Sequence, residues 1–379
     1  MDITSERTGQ RLTLTLAGRL DSVTAPVLDA ALELEGIREV VMDLEACIFI
    51  SSTGLRCILK ALKHTAKEAG HVVLVGVQPS VMGILELTGL TKLLTVKPKA
   101  REISIDGLEF ISAGMCGQCF RLDRETIVKL YNEGVEPRVA EQEKEFAKAA
   151  FVMGIPTAIS YDVVACGSRT GVVYEMLDAE PLSKLIRQDL QGVDAHARTL
   201  ADVARMIHST TGDPALFPDI KQSLRRSIRQ MDFFLSAAEI DVLLGKLESI
   251  PDASNCIHFD LHTSNIMVRD GEPVLIDMGD MSMGSYLFDV GLLCCIYGLP
   301  ELGSCELVTK IPTATGVELW QGFVKYYFAD KPPEEFEFFQ RHMHFLASLR
   351  LIHSITILPA SKDLLATLIQ DKLLAKMLA

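Results

Sequence analysis

The chain has 379 residues, enough for two or three domains that each bury a core, so a single small module is excluded. Hydrophobic residues make up 48% and charged residues 23%, which marks a globular chain rather than a disordered polymer. Fifty acidic against 37 basic residues give a formal charge of −13 at pH 7, which argues against nucleic acid or an anionic membrane as a partner of the whole surface.

The opening residues, MDITSERTGQ, lack a basic stretch followed by an apolar run, and the longest near-uniform apolar run, 290–300, is too short to span a membrane. A cytoplasmic location is expected. Nine cysteines, an odd number, are scattered along the chain, which predicts reduced thiols. Cys116-Gly-Gln-Cys119 is the only CxxC and has no second ligand pair for zinc.

In chain order, RLTLTLAGRL (11–20) alternates like a half-buried strand, and 25–34 has helical spacing. Residues 38–44 and 71–77 read as further strands. Between them, Leu55, Ile58, Leu59 and Leu62 mark a helix over 53–70, with Gly70 as its stop. A short helix follows at 81–87, and Val96-Lys-Pro-Lys-Ala100 is the linker candidate. The pattern predicts a first domain over 1–100 and a second over 101–379.

At the start of the helix over 53–70, Phe49-Ile-Ser51-Ser52-Thr53-Gly54-Leu55 offers hydroxyls that can cap it. The same place suits a phosphate, which free N–H groups and the helix dipole favour. The stretch Val41 to Leu55, with Leu85-Glu-Leu-Thr-Gly-Leu90 closing the domain, resembles the STAS domain of bacterial anti-sigma factor antagonists. The resemblance implies a mixed sheet with helices over 1–100, an anti-sigma factor or other signalling protein as partner, and phosphorylation at Ser52. Ser51 stands where that family usually has Asp.

The second domain opens with short strands around a glycine-containing turn (107–128). A charged amphipathic helix (138–153) follows, then strands at 158–164 and 171–177, and mostly helical periodicity thereafter. Its strongest chemical signal is Cys256-Ile-His-Phe-Asp-Leu-His-Thr-Ser-Asn-Ile-Met-Val268 followed by Pro273-Val-Leu-Ile-Asp-Met-Gly279. Asp270-Gly271 between the apolar runs predicts a tight hairpin in which Arg269 opposes Glu272. Asn265 and Asp277 then emerge together at its open end, where an amide oxygen and a carboxylate can hold Mg²⁺. Asp260, on the preceding loop, can accept a proton from a hydroxyl nucleophile.

Gly114 and Gly117 can let a strand turn cover nucleotide phosphates. Lys129, on the apolar strand Ile127-Val-Lys-Leu130, must face solvent or find an anion. Glu143 on the following helix can pair with it, and Glu145 competes, because Glu141, Glu143 and Glu145 cannot all share one face. Taken together, 104–300 resembles the aminoglycoside phosphotransferase and choline kinase branch of the protein-kinase-like fold. The matching features include Ile127-Val-Lys129, Gly154-Ile-Pro156, Tyr174-Glu-Met-Leu177, His258-Phe-Asp260 and Ile276-Asp277.

That resemblance implies a two-lobed domain, with a small lobe over about 104–177 and a large lobe over about 178–379. It also implies ATP and Mg²⁺ as cofactors, with Glu175 and Leu177 in the adenine hinge and Asp289 bracing the catalytic loop. Phe259 replaces the usual Gly, and Met278 is bulkier than in some relatives. His208 and His262 read as structural, Asp280 as a second acid near the metal, and the tail from 336 as packed helices. The whole is expected to be α/β and α+β, a regulatory domain fused to an ATP-dependent phosphotransferase whose acceptor is a hydroxyl, on a small molecule or on Ser52. The alternative is a non-catalytic, nucleotide-sensing protein that works by binding through its first domain.

Overall fold

The structure, a computed structural model, describes residues 1–358 and 361–378, and the chain divides into the units Met1–Glu102 and Ile103–Ala379. In the first unit, β1 (Asp2–Thr8) runs antiparallel to β2 (Arg11–Leu20), and β2 buries Leu12, Leu14, Leu16 and Leu20. Helix α1 (Ala25–Ala31) leads to β3 (Glu39–Asp43) and β4 (Cys47–Ile50), both parallel to β2. Helix α2 (Ser52–Lys67) buries Leu55, Ile58 and Ala61. After it come β5 (His71–Val77), α3 (Pro79–Leu87) and β6 (Thr95–Pro98), giving the order β1-β2-β3-β5-β6 with β4 on β2.

Two elements depart from the sequence pattern. Strand β1 is polar and mostly exposed, so its identity comes from backbone pairing with β2 rather than from apolar alternation. Three of the five residues of the expected linker lie in β6, an edge strand held to β5 by pairs such as Leu74 with Val96. An edge strand tolerates the lysines and proline that resemble a linker.

A two-residue strand, β7 (Arg101–Glu102), closes that unit. The second unit begins with β8 (Glu109–Ala113), β9 (Gly117–Arg121), β10 (Thr126–Tyr131), α4 (Pro137–Val152), β11 (Ser160–Cys166) and β12 (Arg169–Glu175). Its strands form an antiparallel sheet in the order β11-β12-β10-β9-β8. The remainder is mainly helical: β13 (Glu180–Pro181), α5 (Leu182–Gln188), α6 (Val193–Ser209), α7 (Ile220–Arg229) and α8 (Ala237–Ser249), then β14 (Cys256–Ile257).

The hairpin β15 (Ile266–Arg269) and β16 (Glu272–Leu275) pairs Arg269 with Glu272 and Ile266 with Leu275. Asp270 and Gly271 both have positive φ, as a tight two-residue hairpin turn requires. Beyond lie β17 (Ser282–Met283), α9 (Leu287–Leu293), α10 (Ser304–Thr309), α11 (Thr313–Tyr327), α12 (Pro333–Ile357), α13 (Lys362–Leu368) and α14 (Leu374–Leu378). One apolar cluster runs from α4 through these helices. All nine cysteines are unpaired, and among the described residues no helix is long and apolar enough to cross a membrane.

Candidate functional site

Strand β10 sits between β9 and β12 and sets Lys129 opposite Cys119 and Val172, pointing its amine toward α4. Lys129 Nζ lies 2.8 and 2.9 Å from the two Glu143 carboxylate oxygens and 2.7 Å from Asp277 Oδ1. Glu143 is only 2% exposed and also accepts from the Tyr174 hydroxyl at 2.8 Å and from the Tyr131 hydroxyl. Every donor around Glu143 therefore stabilises its charge where water is absent. Burial opposes the charge on Lys129, but Asp277 and Glu143 outweigh it and hold the amine well above its ordinary pKa. Burial, reinforced by Glu143, pushes both tyrosine hydroxyls up. Glu145 is on another face, 3.6 Å from Lys144, which settles the choice between the two glutamates.

The loop after β14 is built around Asp289, which is fully buried at the start of α9. Its carboxylate accepts the backbone N–H of His258 at 2.8 Å and of Phe259 at 2.6 Å, and lies 3.0 Å from His208 Nε2. His208 in turn meets the Tyr327 hydroxyl at 2.6 Å, so both residues are structural. Phe259 has a φ of 59°, a left-handed conformation that explains why a glycine is usual at this position in the resembling family. The strain is sustained by the Asp289 bond and by burial of the ring, which is 1% exposed.

That loop delivers Asp260 beside Asn265, whose Nδ2 donates to the Asp260 carbonyl at 2.9 Å and to its Oδ2 at 3.0 Å. Arg350 on α12 donates from Nη2 to Asp260 Oδ1 at 3.1 Å and to Asp280 Oδ2 at 2.8 Å. Burial works to raise the pKa of Asp260, but Arg350 and the neighbouring His262 hold it well below the usual carboxylate range. For Asp280, burial wins and the pKa moves up, with Asp260 and Asp277 adding to the rise against Arg350.

Asn265 and Asp277 meet at the open end of the hairpin, where Ile276 N–H donates to the Asn265 carbonyl at 3.0 Å. Asp277 turns there with a φ of 62°. Because Nδ2 of Asn265 is committed to Asp260, its Oδ1 is the atom that can face a cation. With the Asp277 carboxylate it makes a hard-oxygen pair suited to Mg²⁺. Among the described residues no group of three or more His, Cys, Asp and Glu forms a ready metal cluster. A magnesium site using one or two protein oxygens plus phosphate and water does not need one.

The β8–β9 turn carries Gly114 and Gly117. A Cβ on Gly117 would lie 2.1 Å from the Leu130 carbonyl oxygen, so the glycine is demanded by the sheet itself, whereas Gly114 has open space around it. The turn between them is closed by the Gly114 N–H, which donates to the Gly117 carbonyl at 2.9 Å. Burial raises the pKa of the Cys119 thiol, so it is not an activated thiolate. At the end of β12, the Glu175 carboxylate accepts from Ile159 N–H at 2.9 Å, and the Glu175 N–H donates to the Ile159 carbonyl at 3.0 Å. Leu177 is buried in the core cluster just beyond the strand.

In the first unit, Ser51 is the N-cap of α2 and accepts from Gly54 N–H at 3.4 Å, while Ser52 is exposed on the first turn. Gly54 is required because a Cβ there would lie 2.5 Å from the Leu20 side chain.

The patterns read from sequence missed Arg350 and the two tyrosines on Glu143. A signal for Arg350 existed: it is the lone charge in the stretch 345–352, and a buried cation needs partners. The tyrosines carried none, since strand tyrosines are common.

An antiparallel sheet whose lysine is held by a helix glutamate, above an Asp-bearing loop and a hairpin, defines a kinase-like domain. Residues 108–323 match the model of the phosphotransferase enzyme family, and residues 2–103 match the STAS domain. The chain belongs to the phosphotransferase enzyme family and carries a STAS domain ahead of it. The anti-sigma-B factor antagonist of Listeria monocytogenes is 30% identical over 95 residues, covering 24% of this chain and 83% of that protein. The gentamicin complex of APH(2")-IIa is similar with 18% identity and a TM-score of 0.49, covering 72% of this chain and 93% of that one. A choline/ethanolamine kinase family protein from Mesorhizobium loti is similar with 15% identity and a TM-score of 0.44, covering 72% and 90%.

Proposed function

We propose that the second unit transfers the γ-phosphoryl group of ATP to a hydroxyl, and that the STAS domain couples this activity to a signalling partner, an anti-sigma factor by analogy with the Listeria relative, in the cytoplasm. The observation that carries the reading is the Lys129–Glu143–Asp277 cluster, in which Glu143 is buried and Asp277 open to solvent, together with the Asp260–Asn265 pair. Lys129 can exchange Asp277 for nucleotide phosphates while Glu143 keeps it oriented. Gly114 and Gly117 bring backbone toward the phosphates, and the backbone at Glu175 and Leu177 receives the adenine.

Asn265 and Asp277 would hold Mg²⁺, which supplies charge neutralisation on the transferring phosphates. Asp260 orients the acceptor hydroxyl and takes its proton. Its depressed pKa keeps it ionised at neutral pH but makes it a weak base, so positioning dominates.

Two acceptors fit this chemistry, a small molecule and Ser52. A phosphate on Ser52 adds nearly two negative charges at the exposed start of α2, enough to change partner binding. Tethering would raise the effective concentration of Ser52 toward about millimolar. The test is phosphate incorporation from labelled ATP with Mg²⁺, with Ser52→Ala and Asp260→Asn run beside the parent. Label lost in both variants identifies Ser52 as acceptor. Label or ADP release that depends on an added alcohol and survives Ser52→Ala identifies a small molecule. Absence of both, despite nucleotide binding, overturns phosphotransfer.

A further inference from the structure

The motifs of the second unit account for every charge around Asp260 except one. Arg350 comes from α12, flanked by Leu349 and Leu351, and its side chain is 13% exposed. One nitrogen, Nη2, serves both Asp260 at 3.1 Å and Asp280 at 2.8 Å, and the Phe259 ring lies 5.5 Å from the guanidinium carbon. The other, Nη1, is buried with no hydrogen-bond partner. A guanidinium placed only to neutralise two carboxylates would spread them over both nitrogens, since the planar fork suits bidentate pairing. Leaving a buried charged donor unpaired is costly, which marks Nη1 as a donor awaiting an acceptor.

Asp260 already accepts from Arg350 through Oδ1 and from Asn265 through Oδ2, with His262 at 3.7 Å, which leaves a further lone pair on each oxygen. A hydroxyl that reaches Asp260 therefore arrives beside the guanidinium. We propose that Arg350 determines acceptor specificity, and that the acceptor is a small hydroxyl compound bearing an anionic group, carboxylate or phosphate, close to the reacting hydroxyl. The anion takes Nη1 and draws the guanidinium off Asp260 Oδ1. The hydroxyl oxygen then bonds to the γ-phosphorus as the bond to the β–γ bridging oxygen breaks, the hydroxyl proton passes to Asp260, and ADP leaves. This rests on the phosphotransfer reading and narrows it. A polycationic acceptor would meet a desolvated guanidinium beside the base. Ser52 is flanked by Ile50, Ser51, Thr53 and Gly54, none of which offers an anion.

The test uses the full chain with Mg²⁺ and three kinds of probe: D-glycerate and glycerol 3-phosphate as anions, glycerol as the neutral parent, and choline and kanamycin as cations. Two readouts are taken, equilibrium binding to the ADP-loaded protein and kcat/KM from ADP release. The parent is expected to bind at least one anion about tenfold or more tightly than glycerol, the usual worth of a charge-assisted contact. Arg350→Gln should abolish that preference through KM or Kd, and Arg350→Lys should restore part of it. The lysine variant and the parent's own preference decide the matter if Arg350→Gln fails to fold. Equal or tighter binding of glycerol or a cation, no binding of any probe, or an anion preference unchanged in the variants would overturn the proposal. Arg350-dependent anion binding without any phosphorylated product would leave Arg350 as an anion-binding residue and overturn its role in acceptor choice.

Discussion

The two units treat their candidate chemistry in opposite ways. Ser52 stands exposed on the first turn of α2, positioned by backbone, with its neighbour Ser51 doing the capping. Lys129, Glu143, Asp260 and Asp277 are instead tied to one another or to Arg350 in a largely buried cluster. An exposed hydroxyl can be modified with little cost to the fold, whereas a buried charge carries function and stability together. The hydroxyl of the first unit is open to solvent, whereas in the second unit the charged groups are held by one another.

The sharpest way to break this contrast is Asp260→Asn. It should lower kcat for phosphoryl transfer by about 10²–10⁴-fold, the usual worth of a positioned acid–base group, in a steady-state assay of ADP release. Retained activity would remove Asp260 from the chemistry. Next, Lys129→Ala strands Glu143, which is 2% exposed, so a loss of about 3 kcal/mol in urea unfolding is expected, with part recovered on adding Glu143→Gln. If the double variant is no better than the single, the charges are not coupled.

Asp289→Ala removes the acceptor of two buried N–H groups and should cost about 2–3 kcal/mol, read as a lower Tm. A smaller term comes from His353, whose pKa burial and the nearby Arg350 push down to about 4. The unfolded chain binds that proton near pH 6.5 and the folded chain does not. Stability should therefore fall as the pH drops from about 6.5 toward 4, by roughly 1–3 kcal/mol. His353→Gln should flatten that part of the curve; an unchanged curve would show that His353 does not titrate on unfolding. The smallest effects belong to the first unit: about 0.5 kcal/mol for Ser51→Ala, whose capping bond is long at 3.4 Å, and within ±0.5 kcal/mol for Ser52→Ala. A large loss at Ser52 would erase the contrast.

Much of this arrangement is legible along the chain. The β15–β16 register follows from Asp270-Gly271 and the apolar runs beside it, and with it the place of Asn265 against Ile276 at the open end. Helix α2 and strand β5 show their periodicities directly. The reading stops where pairing is remote: β1 and β6 are strands because a neighbour supplies their hydrogen bonds, and Gly117 looks like a phosphate-loop glycine although the Leu130 carbonyl alone requires it.

The amino-acid sequence by itself determined the two domain types, the elements with strong periodicity, and the residue types able to handle phosphate. These depend on interactions within one helix turn, one strand or one hairpin. Only the tertiary structure decided that Glu143 rather than Glu145 meets Lys129, that Asp289 supports the strained turn at Phe259, and that Arg350 reaches Asp260. Those pairs are separated by 14, 30 and 90 residues. At such separations the contact is set by how helices and sheet pack around a common core, and local spacing carries no record of it.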